Sequence, residues 1–61
     1  MEDYQERVID EKAELDAKLE KLQTFLAKDM EIASDELDRL KRQAEVMAEY
    51  SKILGERIEA F

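Results

Sequence analysis

The apolar residues from Leu37 to Phe61 recur with alternating spacings of three and four. They are Leu37, Leu40, Ala44, Met47, Leu54, Ile58 and Phe61. Ser51 stands at the one place where a further apolar residue is due. Written as a heptad, the a positions are 37, 44, 51 and 58, and the d positions are 40, 47, 54 and 61. A strand alternates every second residue, so this pattern predicts a helix packed against another helix.

A second apolar stripe runs beside this seam. It consists of Val46, Tyr50 and Ile53, which are also at helical spacing. One apolar seam serves one neighbouring helix, whereas two adjacent seams make a face wide enough for two or more. The pattern therefore predicts that this helix is buried among several partners.

The first half of the chain carries a matching seam. Its clearest members are Leu15, Leu19, Leu22 and Leu26. The seam is weaker before Leu15, because Glu11 and Lys12 separate it from Val8. Acidic residues at the start suit the first turn of a helix, where the macrodipole is positive. A first helix is expected over residues 3–28.

The two seams are out of phase. A continued pattern after Leu26 would need apolar residues at 29 and 33, where the chain has Asp29 and Ala33. Ser34 is followed by two acidic residues, which is typical of a helix N-cap. We therefore predict a turn over about 29–34 and a second helix over 35–61. The fold class is all-α, one antiparallel two-helix hairpin domain resembling a coiled coil. A single uninterrupted helix is the alternative, since the turn contains neither Gly nor Pro.

The size and composition predict self-association. The chain has 61 residues, no cysteine and no histidine, which excludes disulfides and ordinary zinc sites. Chains this small usually need a disulfide, a metal or another subunit to complete a core. A homo-oligomer is therefore expected, as a dimeric four-helix bundle or a higher assembly.

Several function classes are disfavoured. The net charge of −7 argues against nucleic acid and against anionic membrane surfaces as partners. No apolar run approaches 18 residues, and no signal-peptide pattern is present. Without His or Cys the usual nucleophile–base arrangements are missing. Glu11 and Glu14 form half of a helical metal-binding pattern, but Glu56 and Glu59 do not supply the other half. We expect no enzyme, no catalytic residue, no metal and no cofactor.

The distribution of charge points to binding. Residues 18–44 contain six basic and six acidic residues, so the excess negative charge lies in 1–17 and 45–61. A hairpin brings those segments together at its open end, and there it also gathers Tyr4, Arg7, Tyr50 and Arg57. Antiparallel pairing predicts that Arg7 is opposite residues 55–57. Aromatic rings with guanidinium groups suit a small planar anion such as a nucleotide. The alternative is that these side chains only flank the core.

Two further features carry open alternatives. Arg39, Lys41 and Arg42 form a second basic cluster, which either binds an anion or pairs with nearby carboxylates. Gly55 costs about 1 kcal/mol in a helix interior relative to Ala. It indicates either a close approach by the backbone of a neighbouring helix or room for a ligand.

Two stretches resemble a known group of proteins. Residues 4–15 (YQERVIDEKAEL) and the segment with Arg42, Gln43, Met47 and residues 50–58 (YSKILGERI) resemble small, mostly uncharacterised phage and prophage proteins, including some from crAss-like phages. The likeness covers nearly the whole chain, which is shorter than those proteins in the turn.

The resemblance implies a role in phage–host conflict, in the host-cell cytoplasm. By analogy of architecture, we expect an oligomeric helical protein that sequesters a small anionic cyclic-nucleotide immune signal. An acidic adaptor or inhibitor of a host protein is the alternative from another class, and a purely structural oligomerisation bundle is a third.

Overall fold

The hairpin is present as predicted. The computed structural model describes residues 2–28 and 31–61. Helix α1 spans Asp3–Leu26 and helix α2 spans Ser34–Glu59, and the two pack against each other. Contacts between Tyr4 and Phe61 at one end and between Asp16 and Ser51 further along show that the helices are antiparallel. The single-helix alternative is therefore wrong, and the all-α hairpin is confirmed.

The ends of the helices differ slightly from the sequence expectation. Helix α1 ends at Leu26, and the backbone N–H of Ala27 still donates to the carbonyl of Gln23 at 3.0 Å. Helix α2 begins one residue earlier than expected, because the Ala33 carbonyl already accepts from the Leu37 N–H at 3.0 Å. Ala33 is thus the N-cap, and the prediction that Ser34 caps the helix is wrong. Of the predicted turn, positions 29 and 30 lie outside the described residues.

The core lies between the two seams and is small. Leu54 has no exposed surface, and Val8 and Leu19 are only 6% and 9% exposed. The other members of the α2 seam up to Ile58 are half-buried or, in the case of Ser51, buried. The apolar pattern therefore identified the packed surface of both helices correctly.

The α1 seam is continuous, because Lys12 fills the position that looked like a gap. Counting from Val8 to Leu26, the seam runs 8, 12, 15, 19, 22, 26, with spacings of four and three. The Lys12 stem lies against Gly55: a Cβ added to that glycine would be 3.3 Å from Lys12 Cε. The close approach at Gly55 is thus made by a lysine side chain, and the predicted backbone approach is wrong.

One carboxylate satisfies both polar residues of the seams. Lys12 Nζ donates to Asp16 Oδ2 at 2.8 Å, and Ser51 Oγ donates to Asp16 Oδ1. Ser51 is 8% exposed, so its hydroxyl would otherwise lose a hydrogen bond on burial. Asp16 therefore explains why a serine and a lysine are tolerated where apolar residues are due.

This carboxylate makes the hairpin sensitive to acid. The hydrogen bonds from Lys12 and then Ser51 hold the pKa of Asp16 below its ordinary value of 3.8. A lowered folded-state pKa contributes stability above the unfolded value, and that stability is lost as the pH falls through the folded value. We expect Asp16→Asn to lower the urea midpoint at neutral pH, and the gap to wild type to close below about pH 3.8.

The matched control for this prediction is Glu45→Gln, because it removes the same charge from an exposed position of α2. Its difference from wild type should be small at every pH. An Asp16→Asn gap that stays constant down to about pH 2.5 would contradict the assignment.

Gly55→Ala is expected to stabilise the hairpin. Alanine gains up to about 1 kcal/mol of helix propensity over glycine. The opposing cost is a small shift of Lys12 Cε, which lies near the end of a flexible side chain. Urea unfolding should show a rise for Gly55→Ala, and a larger rise when Lys12 is also alanine. A fall in both backgrounds would mean that Gly55 serves something other than the Lys12 contact.

Candidate anion-binding face

One side of the hairpin carries all four predicted site residues. When α1 is numbered from its observed seam, Val8 and Leu15 are d positions and Lys12 and Leu19 are a positions. The g and c positions of both helices then share one side, as the hydrogen bond between two g residues, Tyr50 and Glu11, shows. We call this side the aromatic face. It consists of Tyr4, Arg7, Glu11, Glu14, Lys18, Lys21 and Phe25 from α1, and of Glu36, Arg39, Gln43, Val46, Tyr50, Ile53 and Arg57 from α2.

The register orders these residues along the face. Because the helices are antiparallel, one heptad forward on α2 matches one heptad back on α1. The pair Arg57 and Tyr4 therefore repeats the geometry of the pair Tyr50 and Glu11 one heptad, or about 10 Å, nearer the open end. One heptad in the other direction, Gln43 and Lys18 form a third pair of this kind. From the open end inward, the order along the face is thus Tyr4, Arg57, Glu11 and Tyr50.

Tyr50 is held by a partner that the sequence analysis did not select. Its hydroxyl donates to Glu11 Oε2, and 41% of the residue remains exposed. This hydrogen bond raises the pKa of Tyr50 above its ordinary 10.0, with smaller contributions from burial and from the Glu11 charge. The Arg57 charge acts in the opposite direction on the pKa of Tyr50 and is the smallest of these contributions. The structure therefore brings Tyr50 and Glu11 into contact, with Arg57 one heptad further along the same side of α2.

Tyr4 and Arg7 lie nearer the open end. The Tyr4 ring meets Phe61 edge to face, with the ring centroids 5.7 Å apart, and Tyr4 is 51% exposed. Arg7 is exposed and lies one helical turn along α1 from Tyr4. The contacts on either side of it, Tyr4–Phe61 and Glu11–Tyr50, pair Arg7 with positions between 54 and 58 of α2. The expectation that Arg7 is opposite residues 55–57 stays a prediction.

The aromatic face has the opposite charge balance from the rest of the molecule. It carries five basic residues and three acidic ones, although the whole chain has a net charge of −7. The remaining outward positions of the two helices, which we call the acidic back, carry three basic residues (Lys41, Arg42 and Lys52) and eleven acidic ones. These eleven are Asp3, Glu6, Asp10, Asp16, Glu20, Asp35, Asp38, Glu45, Glu49, Glu56 and Glu59. The positive charge of the two helices is therefore concentrated on the aromatic face, and the negative charge on the acidic back.

The arginines of this face differ in whether they already form ion pairs. Arg39 pairs with Asp35 at 3.8 Å and with Glu36 at 3.3 Å, so carboxylate pairing is shown for this member of the second basic cluster. Among the described residues, Lys41 and Arg42 form no such pair. Within residues 2–28 and 31–61, neither Arg7 nor Arg57 forms an ion pair. Of the three arginines of this face, Arg7 and Arg57 are thus the two without a carboxylate partner among the described residues.

A shallow groove runs along the outer side of α1. It has a volume of about 550 Å³ and is lined by Ala17, Glu20, Lys21, Thr24, Phe25 and Lys28. The Thr24 hydroxyl donates back to the Glu20 carbonyl at 2.9 Å, so it is already satisfied. The groove touches the edge of the aromatic face through Lys21 and Phe25.

Glu11 is the site residue that the sequence analysis missed as a ligand group. Its spacing of seven from Tyr4 and from Lys18 is the signal that could have identified it, once Lys12 is accepted as a seam residue. A carboxylate such as that of Glu11, which already accepts from Tyr50, can also accept hydrogen bonds from ribose hydroxyls or from a base amino group. The face therefore offers tyrosine rings for stacking, guanidinium groups that donate paired hydrogen bonds, and a carboxylate that accepts them. A nucleotide has partners for all three kinds of group, whereas inorganic phosphate has partners only for the guanidinium groups.

Two other kinds of site, a membrane span and a metal site, are absent from the described part of the chain. Neither helix is long and apolar enough to cross a membrane. Across residues 2–28 and 31–61, no group of three or more metal-ligating side chains is placed to hold an ion.

Comparison with known proteins gives one family. The model of the family described as Sequestin matches residues 2–60, which is almost the whole chain. No curated protein matches the chain, and no solved structure does.

Proposed function

The chain belongs to the Sequestin family, and from this membership and the aromatic face we propose that it is an oligomeric sponge for a small anionic cyclic nucleotide. The family name describes a protein that sequesters a partner. The finer assignment rests on one observation: a net-negative chain has a net-positive face lined by Tyr4, Tyr50, Arg7 and Arg57. Such a face suits the binding of an anion that is held and not chemically converted.

The phage context supports an anti-defence role. The likeness of residues 4–15 and 50–58 to small phage and prophage proteins motivates this part of the proposal. In this role the protein acts in the host cytoplasm and lowers the free concentration of an immune signal. Sequestration needs affinity and copy number only, so a 61-residue chain without catalytic residues is sufficient.

The direct test is a thermal-shift screen combined with light scattering on the same sample. The probes are 3′,5′-cyclic AMP, 3′,5′-cyclic GMP, cyclic di-AMP, cyclic di-GMP and inorganic phosphate. A ligand bound only by the folded state at about 100 times its Kd stabilises it by about 2.7 kcal/mol. For a domain of this size that corresponds to a rise in Tm of roughly 20 °C. A cyclic nucleotide that gives such a rise while phosphate does not is the expected result.

A second candidate is favoured by the acidic back. Its eleven carboxylates suit a host protein with a basic surface. That adaptor function predicts no shift with any probe and a salt-sensitive complex with a protein. A stable oligomer that ignores every nucleotide would therefore replace the sponge by the adaptor.

A further inference from the structure

The hairpin leaves an apolar stripe uncovered in the middle of its aromatic face. Val46 is 68% exposed, Ile53 44% and Tyr50 41%, and the three are at helical spacing on α2. We propose that a second copy of the chain covers this stripe with its own stripe, about a two-fold axis at Tyr50. The second copy then completes the anion site with its Gln43 and Lys18. This inference deepens the proposed function and rests on it for the ligand.

The exposed area agrees with one missing partner. The chain exposes 4911 Å² and is elongated, with extents of 46 × 14 × 13 Å. A compact monomer of 7.2 kDa is expected to expose about 4,100 Å². The excess, about 800 Å², is what one partner contributes to a standard stable interface.

The charges favour the aromatic face over the acidic back as the surface on which two copies meet. If two aromatic faces meet, the two acidic backs point away from each other into solvent. Docking through the acidic back would instead bring eleven carboxylates of each copy together. The remaining positive charges then lie beside the contact, where a bound anion neutralises them.

The stripe suits a two-fold axis. A two-fold interface needs a patch that is complementary to itself. With Tyr50 at the axis and the two α2 helices antiparallel, Val46 of one copy lies within one residue of the level of Ile53 of the other, about 1.5 Å along the helix, so the apolar side chains can pair. Under the same symmetry, Arg57 lies level with Gln43 of the partner subunit. Lys18 of the partner subunit is in the same row as that glutamine.

Each dimer therefore has two equivalent sites, one on each side of the apolar contact. One copy contributes Tyr4, Arg7 and Arg57, and the other contributes Gln43 and Lys18. The glutamine amide both donates and accepts hydrogen bonds, which suits the edge of a base. The lysine adds a point charge for phosphate. A single hairpin has only part of this set at each site.

Cysteine cross-linking tests the geometry without any ligand, because the chain has no cysteine. In Val46→Cys/Ile53→Cys the two thiols on one helix are about 10 Å apart, too far to join each other. Mild oxidation is expected to give a covalent dimer in high yield. The matched control is Glu45→Cys/Lys52→Cys, one position earlier on the same helix, with the same spacing and the same net charge. It should remain monomeric on a denaturing gel.

Mixing variants tests whether the site is shared. Arg57→Ala and Gln43→Ala should each weaken binding of the cyclic nucleotide that gives the largest thermal shift, so that neither variant alone binds it at a concentration that saturates the wild type. In a 1:1 mixture, half of the dimers are mixed, and each mixed dimer keeps one site with both residues intact. Calorimetry should then show about a quarter of the wild-type binding sites. No recovery would mean that both residues act within one copy, which overturns the shared site.

Failure of this inference and failure of the proposed function give different results. A nucleotide-induced rise in Tm without the cross-link between positions 46 and 53 refutes the two-fold contact through the stripe but not the proposed sequestration of a nucleotide. The cross-link without any nucleotide-induced shift supports the dimer and refutes the sponge and the shared anion site. A cross-link from the control pair that equals that of the test pair refutes the stripe as the contact surface.

Discussion

Leu54→Ala is expected to unfold the hairpin or to lower its free energy of unfolding by about 2–5 kcal/mol. Leu54 is the one described side chain with no exposed surface, and it packs where the two seams meet. The cost combines the lost burial with the cavity that remains. A domain of this size has only a few kcal/mol of stability in total, so a loss in this range removes most of it. Circular dichroism during urea titration measures the change.

The control for that experiment is Lys52→Ala, which truncates an exposed side chain two residues earlier on α2. Its effect should lie within about 0.5 kcal/mol. If Leu54→Ala were as stable as Lys52→Ala, the packing of the two seams described above would be wrong. If the protein is a dimer, both midpoints depend on concentration, so the two variants are compared at equal concentration.

The fold could be predicted from the sequence because its main signal is periodic. Leu37 to Ile58 and Leu15 to Leu26 follow the spacing of packed helices, and the change of phase between them required a break. The cap was harder to predict, since Ser34 and Ala33 differ by one residue and the position of the first backbone hydrogen bond decides between them. Local composition alone does not fix that choice.

The polar seam residues were beyond sequence reasoning for a different reason. Lys12 is recognised as a seam residue only when its stem is seen against Gly55, and Ser51 only when its hydroxyl is seen on Asp16. Each belongs to a contact between residues more than thirty positions apart. This is also why Glu11 was missed: its role depends on Tyr50, which the hairpin brings to it.

The same correction changes the interpretation of the site. With Lys12 in the seam, Tyr4, Glu11 and Lys18 become one row of α1, facing the row of Gln43, Tyr50 and Arg57 on α2. The four residues selected from composition are then parts of a longer face, and Arg57 stands in its row between the two tyrosines. Arg57 is therefore the residue whose loss should matter most for an anion.

Arg57→Ala is expected to weaken nucleotide binding roughly 30-fold or more, while the fold is kept. Truncating one member of a desolvated, hydrogen-bonded charge pair costs about 2–5 kcal/mol, and each 1.4 kcal/mol is a factor of ten in Kd. Arg57 is exposed in the hairpin and forms no ion pair among the described residues, so its removal should change the Tm of the free protein little. Arg57→Lys should recover only part of the affinity, because an ammonium lacks the planar fork.

Arg39→Ala is the matched control, because it removes a guanidinium from the same face of the same helix. Arg39 is already paired with Asp35 and Glu36, so its loss should lower nucleotide affinity much less than the loss of Arg57 does. Equal losses for the two variants would mean that binding depends only on the overall charge of the face. Loss of the oligomer in Arg57→Ala, seen by light scattering, would mean that Arg57 holds subunits together. Loss of affinity in Arg57→Ala alone, with mass and fold intact, is the result that assigns the guanidinium to the ligand.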